Sequence, residues 1–319
     1  MITDYIRKVG RGKTLAKDLT GPEAVDAFAQ LLKGHFTPAQ AGAFLQALRI
    51  KELSAEELDG LMLVFSGGKS LSASPAGLAL NLASDTPRKG GYASLLAAAG
   101  LAHNGLSVGV IRSEPMLSRN SESWESTWRM FGAAFPANLE IVHVYNLLPE
   151  LQKLEPMRNE LGFRSCLHTA EKLVNPWSNR PVVLGISHRH YAERMAENLR
   201  KRKLRGKIVL GNHGTPDLVL HKETEILEVL ADGSLRTLHI RPADFGLAPD
   251  PGVYAVGFLP EWPKEWAKPG RGAFGPVLRY HLAFLRYAAE TVPDLASGME
   301  GLDEMLDGHL HSKSESQLP

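Results

Sequence analysis

At 319 residues, with 44% hydrophobic and 22% charged residues, the chain can bury a full core and is long enough for two lobes or one large α/β domain, which excludes disorder as its default. Lysine plus arginine number 36 against 35 aspartate plus glutamate, so a net charge of +1 excludes a uniformly basic nucleic-acid protein and leaves polyanion binding to local clusters. The lone Cys166 excludes an internal disulfide and a cysteine metal cluster, and with no run of about 18 apolar residues and no charged-then-apolar leader the expectation is a soluble, cytoplasmic chain without a membrane partner.

The opening stretch sets Arg7, Lys8, Arg11 and Lys13 around a turn with Gly10 and Gly12, a basic patch for which phosphate contact and plain solvation are both open readings. Gly21 to Leu32 follows as a helix with a proline near its start. Thr37-Pro38-Ala39-Gln40 supplies an N-cap, a first-turn proline and a capping-box glutamine for a helix over Ala41 to Ile50, and Ser54-Ala55-Glu56-Glu57 opens another in the same way. Helices before any strand predict a helical lobe over residues 1–75, closed by the turn-rich Gly67 to Pro75.

Beyond that boundary short apolar strands alternate with helices, the pattern of a mostly parallel sheet and hence of an α/β fold class. Leu78 to Leu82 reads as a strand and Ala93 to Ala99 as a helix. The loop between them sits where an α/β protein binds anions, and Arg88 and Lys89 charge it, but it lacks the glycine spacing of a pyrophosphate loop. Further strands are expected at 106–111 and 140–144, with a helix over 123–131 between them. Residues 147–174 turn helical and polar, broken at Pro149 and Pro156. Strands at 182–186 and 207–210, a hairpin of 224–230 with 235–240 about Asp232-Gly233, a closing amphipathic helix over 276–289 and a loose tail from His309 complete the chain, with no internal repeat.

Several residues stand out as candidates. Arg200, Lys201, Arg202, Lys203, Arg205 and Lys207 put six cations in eight positions at the end of a helix beginning near His190, more than a helix C-terminus needs, and such a block suits phosphate contact. Trp124 and Trp128 at i and i+4 read as core, while Trp262 and Trp266 lie in a proline-rich stretch and are the better candidates for stacking on bases. His188, His190 and His213 lack a third ligand at a defined spacing, so no metal site is expected. Cys166 reads as a buried thiol and His168 as a polar group satisfied internally.

The run Phe36 to Lys51 resembles the helical lobe of the anthranilate phosphoribosyltransferase family. Met157 to Ser165 followed by Val174-Asn175-Pro176 looks like that family's arginine-bearing segment at the lobe junction, and Lys207 to Asp217 is similar to its strand leading to a metal-binding acidic pair. The resemblance implies a nucleoside phosphorylase/phosphoribosyltransferase-type fold: a helical lobe completed by about 145–174, an α/β lobe over 76–144 and 175–319, Arg158 and Arg164 at the junction, and dimerisation through the helices. Ala39, Ala43 and Ala47 with Phe36, Phe44 and Leu48 are the expected dimer face.

The departures shape the functional expectation. The family's glycine-rich diphosphate loop falls on Ala83 to Pro87, where no glycine remains; its Lys-His-Gly-Asn-Arg motif falls on Arg112 to Met116; its acidic pair falls on Pro216-Asp217, leaving Asp217 as a remnant carboxylate. Losing magnesium and bound diphosphate together removes the stabilisation of a leaving group. A narrower resemblance, carried by Gly10 to Lys13, Arg49 to Lys51, Met157-Arg158 with Gly162 to Arg164, and His168 to Leu173, is to the YbiB-type branch, and implies the same fold without the catalytic motifs, binding of DNA and RNA, and a homodimer. The expected protein thus binds nucleic acid without sequence preference through Arg7, Lys8, Arg11, Lys13, Arg88, Lys89, Arg112 and the 200–207 block, with no cofactor. The alternative is a transferase for an unidentified acceptor that uses phosphoribosyl diphosphate through Arg88, Lys89, Arg112 and Asp217.

Overall fold

A computed structural model describes residues 2–67, 76–84, 93–113, 136–248 and 275–311, without the side chains of Lys13 and 307–311. The linker at 68–75, the loop with Arg88 and Lys89, the expected helix over 123–131 with Trp124 and Trp128, and the stretch with Trp262 and Trp266 lie outside the described residues.

The chain begins with helices α1 (Ile2–Val9), α2 (Gly12–Leu15), α3 (Gly21–Leu32), α4 (Pro38–Lys51) and α5 (Ala55–Ser66). Reciprocal caps start the last three. The Thr37 hydroxyl accepts from Gln40 N at 3.2 Å while the Gln40 side chain accepts from Thr37 N at 3.0 Å, and Ser54 with Glu57 repeats the arrangement for α5. Thr20 N donates to the Glu23 carboxylate at 2.8 Å to start α3. Residues 2–9 form a helix that ends at the turn over Gly10 and Arg11, and Tyr5 OH donating to Asp26 at 2.6 Å together with the Lys8–Glu23 pair ties α1 down on α3.

A seven-stranded sheet of β1 (Gly77–Asn81), β2 (Ser107–Arg112), β3 (Leu139–His143), β4 (Val182–Gly185), β5 (Gly206–Val209), β6 (Thr224–Val229) and β7 (Leu235–Ile240) has the order β3-β2-β1-β4-β5-β6-β7. The first five strands are parallel and the β6–β7 hairpin adds an antiparallel edge. Every residue of β1, β4 and β5 is buried, which is why these strands read as near-continuous apolar runs. One sheet face is covered by α6 (Ala93–His103) and, later in the chain, by Gly275–Ala288. The other face shares one core with the helical lobe.

Between β3 and β4 the chain forms α7 (Val144–Leu147), α8 (Pro149–Lys153), α9 (Glu155–Leu161) and α10 (Cys166–Glu171), and α9 and α10 pack back on α4 and α5. Pro149 and Pro156 open α8 and α9 as first-turn prolines. After β4 comes α11 (Arg189–Lys201). The closing helix α12 (Gly275–Ala288) is buried on nearly every side rather than amphipathic, because α6 and a helix not foreseen, α13 (Leu295–Met299), flank it. A last helix, α14 (Leu302–His311), occupies the start of the expected loose tail.

Candidate functional site

Strand order fixes where a ligand can sit. β1 to β3 build out one way and β4 to β7 the other, so the chain reverses between β1 and β4, and the crevice of such a sheet opens at the carboxyl ends of those two strands. A cleft of about 570 Å³ lies there. Ser84 beyond β1, Ile186 to His188 beyond β4 and His213 beyond β5 form one side, while Leu48 and Arg49 of α4, Leu53, Gly162 to Cys166, His168, Thr169, Lys172 and Tyr191 supply the rest. Gly185 makes room for this layout: a Cβ there would come within 2.0 Å of the Thr215 backbone, so only glycine lets the 211–217 loop cross the end of β4.

Local chemistry places the lining side chains. Gly162, at φ 64°, ends α9 in the left-handed conformation and turns the chain so that Phe163 and Arg164 line the cleft. The Arg49 guanidinium lies 4.9 Å from the centre of the Phe163 ring. Ser165 N donates to His168 Nδ1 at 3.0 Å, which caps α10 and orients the imidazole. Burial, then the guanidinium groups of Arg158 and Arg164, hold the His168 pKa well below the ordinary histidine value, so the ring is neutral near pH 7. Behind the lining, the buried Glu171 carboxylate accepts from the Ser84 hydroxyl and pairs with Arg158 Nη2 at 2.7 Å. Asn81 Nδ2 donates to the Glu171 and Val174 carbonyls, both at 2.9 Å, joining the end of β1 to α10. Arg158 and Arg164 therefore part company: the first is internal and neutralised, the second lines the cleft.

The lining carries Arg49 and Arg164, the buried Lys172 whose Nζ donates to the Gly214 carbonyl at 3.3 Å, the imidazoles of His168, His188 and His213, and, among the described residues, no carboxylate. Such a surface attracts anions.

The basic block is built differently. Arg200 pairs with Glu197 at 2.8 Å and Lys201 with Asp59 at 2.5 Å; Arg202 donates to the Leu173 carbonyl at 3.0 Å; Arg205 pairs with Glu290 and donates to the Asn179 carbonyl at 2.8 Å. Lys203 is exposed. Lys207 corrects the expectation outright. It is 3% exposed, 2.9 Å from the Glu228 carboxylate and 4.9 Å from the Tyr287 ring centre, because the β5–β6 register sets it opposite Glu228. In the opening patch Arg7 faces Asp4 at 3.5 Å, Lys8 pairs with Glu23, and Arg11 is exposed. Arg112 ends β2, half-buried, in register with His143.

Asp217 serves the fold. It is buried, one carboxylate oxygen accepts from Ser94 N at 2.8 Å in the first turn of α6, and His281 Nε2 lies 3.8 Å away. Its neighbour in the motif is Pro216, so the residues present do not fit a magnesium ion of the kind the resemblance implies. Among the described residues no three His, Cys, Asp or Glu gather as metal ligands, and no helix is long and apolar enough to cross a membrane. Cys166 is buried, which pushes its thiol pKa up to about 12 and leaves it unreactive. Phe36, Phe44 and Leu48 are buried within the chain and cannot supply a dimer face, whereas Ala39 and Ala43 are exposed.

A helical bundle joined through a shared core to a mostly parallel sheet, with a cationic crevice at the strand ends, defines a two-lobed α/β protein of the glycosyl transferase type. Residues 3–65 match the helical bundle domain of the glycosyl transferase family and residues 132–257 its α/β domain. The chain belongs to this family, among the anthranilate phosphoribosyltransferase-like proteins. The anthranilate phosphoribosyltransferase of Chloroflexus aggregans is 26% identical over 324 residues, covering 92% of each chain. A protein of Aquifex aeolicus described as uncharacterized is 30% identical over 193 residues, covering 60% of this chain and 62% of that one, so the match spans about three fifths of that relative. Among solved structures, the anthranilate phosphoribosyltransferase of Thermus thermophilus superposes with a TM-score of 0.77 at 21% identity over 97% of this chain and 96% of that one. The Saccharomyces cerevisiae enzyme in complex with PRPP and Mg gives 0.75 at 15% identity, covering 98% and 93%.

Proposed function

We propose that the chain holds nucleic acid, DNA or RNA, without reading its sequence, and that it has lost transferase chemistry. The observation that carries this reading is the cleft lining, in which Arg49 and Arg164 converge with the imidazoles of His188 and His213 and, among the described residues, no carboxylate. Phosphates placed there release their counterions, which supplies affinity independent of sequence. Arg11 and Lys203, exposed on the surface, extend the set, as does Arg112 at the end of β2, whereas Arg88 and Lys89 lie outside the described residues. Asp217 supports the loss of chemistry: the carboxylate at the position of the family's acidic pair is engaged by the start of α6, so the protein's own anion holds a place a phosphate would take. No cofactor is needed. A two-fold dimer through the helical lobe, with Ala39 and Ala43 on its face, belongs to the same proposal and doubles the phosphate contacts.

The second reading, a transferase using phosphoribosyl diphosphate through Arg88, Lys89, Arg112 and Asp217, draws on the relatives named anthranilate phosphoribosyltransferase. One set of titrations separates the two. A labelled oligonucleotide is titrated with the protein while light scattering reads the mass of the complex, and phosphoribosyl diphosphate with magnesium is titrated by calorimetry. The expected result is a salt-sensitive nucleic-acid complex containing two chains and no heat from phosphoribosyl diphosphate. Micromolar, magnesium-dependent binding of that ligand, with no nucleic-acid complex, would overturn the proposal.

A further inference from the structure

We propose that the cleft takes one or two unpaired nucleotides, so that single-stranded nucleic acid rather than duplex is the ligand of this site. This rests on the nucleic-acid reading above and adds which form is held and by which side chains. Size is the first argument. At about 570 Å³ the cleft lies within the range of small-molecule sites, roughly 300–1,000 Å³, and admits a nucleotide. A base-paired helix, whose major groove alone is about 12 Å wide, cannot enter it.

The lining chemistry is the second argument. Phosphate contact needs only cations, yet two aromatic rings also line this cleft: Phe163 from the α9–α10 connection and Tyr191 from the first turn of α11. Both are half-buried, so each keeps a surface that is not sealed in the core. Each carries a guanidinium, Arg49 at 4.9 Å from the Phe163 centroid and Arg194 at 5.5 Å from that of Tyr191, where Arg194 is held by the Leu53 carbonyl at 2.7 Å and Glu52 at 3.6 Å, and the His190 ring, also 3.6 Å from Glu52, lies 4.5 Å from Tyr191. Rings and guanidinium planes interleaved with cations form the stacking platform and electrostatic funnel that hold unpaired bases. A duplex offers no base face to stack on. A free nucleotide carries the same base and phosphate, so the test must separate it from a strand.

Anisotropy titrations compare a labelled single strand with its duplex, using the wild-type chain and Phe163→Leu and Tyr191→Leu, and a strand with 2-aminopurine reads stacking directly. Each variant is expected to weaken the single strand about five-fold or more, since stacking contributes roughly 1–3 kcal/mol per base, while duplex affinity and salt slope stay at wild-type values. The 2-aminopurine should be quenched in the wild-type complex, and nucleoside monophosphate at millimolar concentration should not displace the strand. Equal losses for strand and duplex, or no loss for either, would overturn the inference and leave the nucleic-acid reading standing. Displacement by micromolar monophosphate would make a free nucleotide the ligand and overturn it as well. If neither form binds, both readings fall. Should a leucine variant fail to fold, the quenching in the wild-type complex decides.

Discussion

The 200–207 block and the cleft are the two basic regions of this molecule, and they are built in opposite ways. The block is contiguous in sequence, and the fold answers most of its charges with carboxylates or carbonyls: Glu197, Asp59, Glu290 and Glu228, with the backbone of Leu173 and Asn179. In the cleft, Arg49 of α4 and Arg164 of the α9–α10 connection are brought together from two separate stretches, and among the described residues no carboxylate stands in the lining. Charge density along a sequence and potential at a surface are therefore different quantities. Only the second attracts a phosphate.

The largest expected effect contrasts a buried charge beside the cleft with an exposed one in the block. Arg158→Ala leaves the Glu171 carboxylate buried without its ion-pair partner, and urea unfolding should show a loss of about 3–5 kcal/mol. Lys201→Ala removes a half-exposed pair with Asp59 and should cost less than about 1 kcal/mol. Similar values for the two would break the contrast.

A smaller effect uses pH. Burial is the leading cause that holds the pKa values of His168, beside the cleft, and His281, under α12, below the ordinary 6.5. Both rings are neutral in the fold, whereas the unfolded chain takes up protons below pH 6.5, so stability is full above that pH and falls as the pH drops. The slope should approach about 1.4 kcal/mol per pH unit for each histidine. His168→Gln should remove one share of that slope, seen in unfolding curves between pH 7 and 5. An unchanged slope would mean that His168 is charged in the fold. The block contains no histidine and contributes nothing here.

What could be read from the sequence divides along the same line. Capping boxes are local, so Thr37 and Ser54 announced α4 and α5, and the buried strands were legible as apolar runs. The segment expected to complete the helical lobe and the two junction arginines came from the resemblance; α9 and α10 of that segment pack on α4 and α5, and of the two arginines Arg164 lines the cleft while Arg158 is internal. Pairing is not local. Nothing in the run 200–207 says that Lys207 will face Glu228 across a strand pair, because that depends on register. Nor could the sequence bring Arg49, Phe163, His188 and Tyr191 to one cleft. Arg49, Phe163 and His188 stand in stretches that the sequence singles out, Tyr191 carries no local signal, and in sequence His188 and His213 read only as an incomplete metal set. The available signal was their position just beyond strand ends, which acquires meaning once strand order is known.

The measurement that bears most directly on the contrast is the salt dependence of nucleic-acid binding for two multiple variants. With Arg49 and Arg164 both replaced by alanine, two phosphate contacts are lost, and the slope of log affinity against log salt should flatten by about 1.4–1.8. Replacing Lys201, Arg202, Lys203 and Arg205 together should flatten it by no more than about 1, the share of Lys203, because the other three are already paired within the fold. The reverse order, with the block variant losing about 3 and the cleft variant unchanged, would contradict the account and return the phosphate site to the helix end.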